Sequence, residues 1–154
     1  MYYIIDYENL WQLTDEELSH VADVSVNEQG VAQYDLIHVT SRDRDSIRRL
    51  HDDAISKFVA KEGNICKYAY QTSTQNGSTV ITPRLQIYVP DMDEASEAPA
   101  LAEITRYIVF YACASHLGPR RPDRAQQYVE LSQAALDKAN LLLKTRKSPT
   151  ESWS

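Results

Sequence analysis

The chain has 154 residues, of which 43% are apolar and 25% charged, and it carries a formal net charge of -6. That length accommodates one domain with a real core rather than two, and the composition excludes a fibrous or disordered chain. The acidic balance argues against a general nucleic-acid binder, which would show a basic excess.

Met1 to Ile5 is a short apolar run that either pairs as a strand or tucks under the core. Thr14-Asp15-Glu16-Glu17 has the form of a capping box, in which the Thr14 hydroxyl and the Glu17 carboxylate satisfy each other's backbone amides. It predicts a short helix holding Leu18, Val21 and Ala22, with Leu10, Trp11 and Leu13 anchoring the approach. Val24 to Tyr34 is broken by Asn27 and Gly30 and reads as a loop or a brief strand pair. From Ser41 to Glu62, Ile47, Leu50, Ala54, Ile55, Phe58 and Val59 recur at helical steps of three and four. Arg42, Arg44, Arg48, Arg49 and Lys57 alternate with Asp43, Asp45, Asp52 and Asp53 over the rest of that helix, as on a solvated face laced with ion pairs. Gly63 is a natural stop.

The period then changes. Cys66, Tyr68 and Tyr70 alternate with polar residues, and Leu85, Ile87 and Val89 do so after a polar stretch holding Asn76-Gly77. Residues from about 65 to 90 therefore read as a β-hairpin with a loose tip over Gln71 to Ser78. Pro83 has no amide to donate, which predicts an edge strand or a bulge there. Asp91 to Ser96 is an acidic lead into a helix, suited to its N-terminus.

The longest helical pattern spans 98–144. Leu101, Ile104, Ile108, Tyr111, Ala112 and Ser115 form one stripe, and Tyr128, Leu131, Ala135, Leu136, Ala139, Leu142 and Leu143 form another. Gly118 suits the left-handed residue that ends a helix, and Pro119 and Pro122 stop the first helix from continuing. The short link predicts an antiparallel helical hairpin whose stripes face each other. The organisation is thus one domain over 1–144, mainly α with a closing α-hairpin and an inserted β-hairpin. A flexible tail over 145–154 follows, bearing Arg146 and Trp153.

Nothing along the chain assembles a catalytic or metal centre. Cys66 and Cys113 fall in different elements and form no CxxC pair, so they read as free thiols in a reducing cytoplasm. Asp91-Met92-Asp93-Glu94 begins like a calcium loop, but Ser96 stands at its glycine position and Ala102 at its final glutamate. His51-Asp52-Asp53 resembles a metal-hydrolase dipeptide without a helical partner among His20, His38 and His116. Four glycines cannot build a phosphate-cradling loop. Ser115 and His116 are adjacent, whereas a nucleophile and its base must converge from separate directions. Arg120, Arg121 and Arg124 form a basic corner, a solvated turn or a place for phosphate or an acidic protein. Ten tyrosines against two phenylalanines suit contact surface or half-exposed faces. No basic patch precedes an apolar run at the N-terminus, so no signal peptide is expected, and no apolar run is long enough to span a bilayer.

The order of elements resembles the head–tail connector (adaptor, neck) proteins of tailed bacteriophages, including Mu-like phages. A short capped helix is followed by a charged helix, here Asp45 to Ile55, then an extended excursion and a closing α-hairpin. In that hairpin, Ala102, Ile104, Tyr107, Tyr111 and Ala112 match the first helix, and Tyr128, Ala135, Leu136 and Ala139 match the second. The resemblance implies a non-enzymatic virion protein without cofactor, assembled in the host cytoplasm and located in the neck. Rings of such subunits join the portal to the next tail component, with DNA only in the lumen. A small protein-binding or regulatory domain is the alternative. The residues expected to make contacts are Tyr68, Tyr70, Asn76 and Gly77 on the β-hairpin, Arg120, Arg121 and Arg124 at the corner, and Arg146 and Trp153 in the tail.

Overall fold

A computed structural model of the chain describes residues 1–24 and 41–146. The expected loop over Val24 to Tyr34 lies outside them from residue 25 onward, as does the tail beyond Arg146. The elements are β1 (Tyr2–Ile4), α1 (Tyr7–Val24), α2 (Arg44–Lys61), β2 (Cys66–Gln75), β3 (Ser78–Ile87), α3 (Glu97–Leu117) and α4 (Pro122–Leu143). Short 3-10 turns over Ser41–Asp43 and Glu94–Ser96 lead into α2 and α3. The domain is mainly α, as the periodicities predict.

The helical hairpin is its centre. Ala100, Ile104, Ile108, Val109, Cys113 and Leu117 of α3 are buried, and Ala125, Tyr128, Ala135, Leu136, Ala139 and Leu143 of α4 close over them. Gly118 departs from expectation: its φ is -44° and its ψ -55°, so it continues the right-handed helix. The chain turns instead on the bonds from the Arg120 and Arg121 amides to the Leu117 carbonyl, at 2.9 and 2.7 Å. Pro122 then starts α4 at the helix position where its missing amide costs nothing.

α1 is longer than the capping box predicts. Asp6 caps it, its carboxylate accepting from the Asn9 amide at 3.1 Å. Thr14 sits in the buried middle of the helix, donating to the Leu10 carbonyl at 2.8 Å and meeting His51 Nε2 at 2.9 Å. Glu17 is engaged elsewhere, accepting from the Tyr128 hydroxyl at 2.8 Å. Leu10, Leu18 and Val21 share the buried face with Thr14, so burial of that continuous stripe overrides the local cap. α2 buries Ile47, His51, Ala54, Ile55 and Phe58 against the same core.

Among the described residues three strands form an antiparallel sheet in the order β1-β3-β2. β3 is therefore central opposite β1 at Arg84 to Gln86, where an edge or a bulge was expected from Pro83, and becomes an edge only before it. The Ile5 amide donates to the Pro83 carbonyl at 3.1 Å, so the missing Pro83 amide also faces β1, just where β1 ends. The ladder to β2 loses nothing.

Candidate functional site

The hairpin has two parts of different character. At its base, Cys66, Leu85 and Ile87 are buried with Tyr3 and Ile5 against the helices. Residues directly opposite in an antiparallel pair share a face, and the register pairs Tyr68 with Leu85, Tyr70 with Pro83, and Thr72 with Ile81. Tyr70, Thr72, Pro83 and Ile81 thus continue the core-facing side of the sheet beyond the helices. Tyr68 marks the boundary, its hydroxyl 3.2 Å from the Ser56 hydroxyl on α2. Past it, Tyr70 and Ile81 are 66% and 62% exposed although they stand on the face that is buried at the base.

The strands stay paired to Gln75 and Ser78, so the expected loose tip is a tight two-residue turn. Asn76 and Gly77 have φ of 51° and 78°, the left-handed geometry that an Asn-Gly hairpin turn uses. Tyr68, Tyr70, Asn76 and Gly77 are brought together as one projecting arm. No residue from Tyr68 to Pro83 is charged. Among the described residues the outer edge of β2 has no partner strand, nor does β3 from Ser78 to Thr82. Protruding edges are normally blunted by charge, bulge or cover. This one is regular, neutral and bare.

The other expected contact residues are not gathered with it. Arg120 donates to the His116 carbonyl at 2.7 Å and so closes the end of α3. Arg121 pairs with Asp123 at 2.8 Å and holds that carboxyl down to about 2, chiefly through their hydrogen bond. Arg124 lies half-buried on the first turn of α4. The basic corner therefore spends two of its cations on its own turn. Arg146 donates to the Leu143 carbonyl at 3.0 Å and bridges to Met92, while the Thr145 carbonyl accepts from the Asp93 amide at 3.2 Å. The first residues of the expected tail are thus tied to the start of α3, and Trp153 lies outside the described residues.

A second feature escaped the sequence reading. A shallow groove of about 360 Å³ runs between α3 and α4 beside α2. Tyr107, Ala114, Val129 and Leu136 supply its apolar walls, and Lys57 is its one charged lining residue. Lys57 Nζ lies 5.0 Å from the Tyr111 ring centre and 3.9 Å from Asp53, so its charge is already engaged. Tyr111 donates to Asp53.

Other polar side chains of the described residues are engaged within the fold. Burial pushes His51 down to about 4 against the pull of Asp52, and Thr14 holds the neutral ring in place. Arg48 and Arg44 stack on Tyr7 and Trp11 in the α1–α2 cleft, Arg44 also pairing with Glu8 at 3.0 Å. Glu103, buried within α3, is paired with Arg106 and, at 3.5 Å, with Lys138 of α4. Burial raises the Cys66 thiol to about 11 and Cys113 well above its usual value, so neither is a ready nucleophile. Among the described residues no group of His, Cys, Asp or Glu is placed to hold a metal, and no helix is long and apolar enough to cross a membrane.

No protein family, curated protein or solved structure matches this chain.

Proposed function

We propose that this chain is a structural assembly subunit, a head–tail connector of a tailed phage whose copies form a ring between the portal and the next tail component. The observation that carries the reading is the arm: a regular, uncharged hairpin whose outer edges have no partner strand among the described residues, extending beyond the helices that cover its base. Strand edges of this kind bind by adding to or lying on another chain. A ring needs a protruding surface on each subunit that meets a different surface on the next. The net charge of -6 suits a subunit lining a DNA conduit, where negative walls keep DNA from adhering. In this role the chain performs no catalysis, holds no cofactor and resides in the virion neck.

Light scattering after size exclusion, with negative-stain electron microscopy, tests the reading on the full chain. Closed rings, alone or on the portal, support it. A monomer over the whole accessible concentration range that fails to decorate portals overturns it in favour of a lone protein-binding domain.

A further inference from the structure

We infer that the outer face of the sheet, the side turned away from the helices, binds single-stranded nucleic acid. Side chains alternate across a strand, so the positions between buried Tyr3, Cys66, Leu85 and Ile87 stand on the opposite side. They are Tyr2 and Ile4 on β1, Lys67, Ala69 and Gln71 on β2, and Arg84 and Gln86 on β3. Tyr88 extends the row past β3, its amide donating to the Ile65 carbonyl at 2.8 Å. The register sets Tyr2 opposite Gln86, which makes Tyr2 and Tyr88 diagonal neighbours, about 7–8 Å apart along the backbone.

Charge selects an anion for this face. The stretches that build the sheet, Met1 to Ile5 and Gly63 to Pro90, contain none of the chain's 22 acidic residues, yet they hold Lys67 and Arg84. Asp6, Glu62 and Asp91 stand where the chain leaves the sheet. Both cations lie on the outer face, and among the described residues neither pairs with a carboxylate. The α1–α2 cleft, by contrast, mixes Glu8 and Asp45 with Arg44 and Arg48, and two arginines of the basic corner are held by their own turn. A face bearing cations and no carboxylate, on a chain of net charge -6, is complementary to a negative partner.

Rings and amides select which anion. Tyr2 and Tyr88 are 43% and 72% exposed, and the Arg84 guanidinium lies over the Tyr2 ring, 3.9 Å from its centre. Unpaired bases stack on such rings and on guanidinium planes. Tyr88 also walls a groove of about 330 Å³ with Asn64, Lys67 and Gln86. A base stacked on Tyr88 meets carboxamides there, which both donate and accept as base edges do, and Lys67 is placed for its phosphate. An acidic peptide uses the cations but leaves the rings without planar partners. A duplex keeps its base faces to itself, so DNA in a conduit would not adhere to this surface. The inference uses neither the arm's edges nor a second copy, and it stands apart from the ring reading.

Fluorescence anisotropy of the full-length chain with a labelled single-stranded DNA of about 12 nucleotides tests it at low salt. The expected result is saturable binding whose log affinity falls with log salt at a slope of about -1.4, the value for two neutralised phosphates on a single strand. Tyr88→Ala, at an exposed position, should weaken binding at least about fivefold through the lost stack. Lys67→Gln should halve the salt slope. Leu131→Ala, at an exposed position on α4, should bind as the native chain does, and circular dichroism verifies the fold of every variant. Absence of saturable binding would overturn the proposal, and so would an unchanged affinity in Tyr88→Ala. Equal displacement by the duplex of the same sequence would overturn it too. Equal displacement by a polyglutamate peptide of the same length would do so by making the face a site for acidic protein.

Discussion

Replacing Ile108 by alanine is the sharpest probe of the helical hairpin as the structural centre. Ile108 is fully buried on α3, facing helices that are themselves packed along their length. The substitution removes three carbons, worth roughly 0.8 kcal/mol each in transfer from water, or about 2.4 kcal/mol together. The surrounding helices cannot collapse freely into the gap, so a residual cavity adds about 1–2 kcal/mol. The expected loss is about 4 kcal/mol, a large part of the roughly 5–15 kcal/mol that stabilises a domain of this kind. Leu141→Ala is the matched control, because Leu141 is 69% exposed on α4, and it should change stability by less than about 0.5 kcal/mol. Urea unfolding measures both, with the transition midpoint shifting and its slope held constant. A loss below about 1 kcal/mol for Ile108→Ala, or an equal loss for Leu141→Ala, would refute the packing derived for the hairpin.

Other outcomes follow from the same contacts. His51 has a folded-state value of about 4 against an ordinary 6.5, because burial disfavours its charged form. Its contribution is complete above pH 6.5; as pH falls from there to 4 the unfolded chain takes up a proton that the folded chain refuses, and about 3 kcal/mol is lost. Comparing unfolding free energies of the native chain and His51→Gln across that window should show a shallower acid slope for the variant, and identical slopes would contradict it. Asp6→Ala removes the cap of α1 and should cost about 1 kcal/mol by urea unfolding, whereas Thr14→Val should cost about 1–3 kcal/mol by leaving buried His51 without its partner. If Thr14 instead acted as a cap, pairing Thr14→Val with Glu17→Ala would show strong coupling in a double-mutant cycle, and none is expected. Deleting the facing pairs Thr72–Ile81 and Ser73–Val80 shortens the arm in register and should leave stability within about 0.5 kcal/mol, since neither pair touches the core.

The α-hairpin, the charged helix and the β-hairpin were legible because long stripes of one period leave few alternatives: Ile104, Ile108 and Ala112 are as buried as their spacing implies. Local signals fared worse wherever tertiary packing competed with them. Thr14 and Glu17 fit a capping box, but the stripe from Leu10 to Val21 gained more by extending the helix back to Asp6. Gly118 permits a left-handed turn without requiring one, and the Leu117 carbonyl could hold the link in another geometry. Pro83 suggests an edge or a bulge, and the sequence does not show that β1 would pair alongside β3 up to Arg84, because strand order is not written in a single sequence. Of the expected contact residues, the hairpin set forms one surface, while Arg120 and Arg121 are occupied by their own turn. The groove beside Lys57 was hidden because it exists only where three helices meet, and its residues are scattered from position 57 to position 136.

The central claim is that the uncharged arm assembles copies of this chain. Mass photometry and electron microscopy of the native and the arm-shortened chain, side by side on equally folded samples, test it most directly. The account predicts closed rings for the native chain and monomers for the shortened one; native monomers that leave portals bare, or rings that persist unchanged without the arm's outer residues, would contradict it.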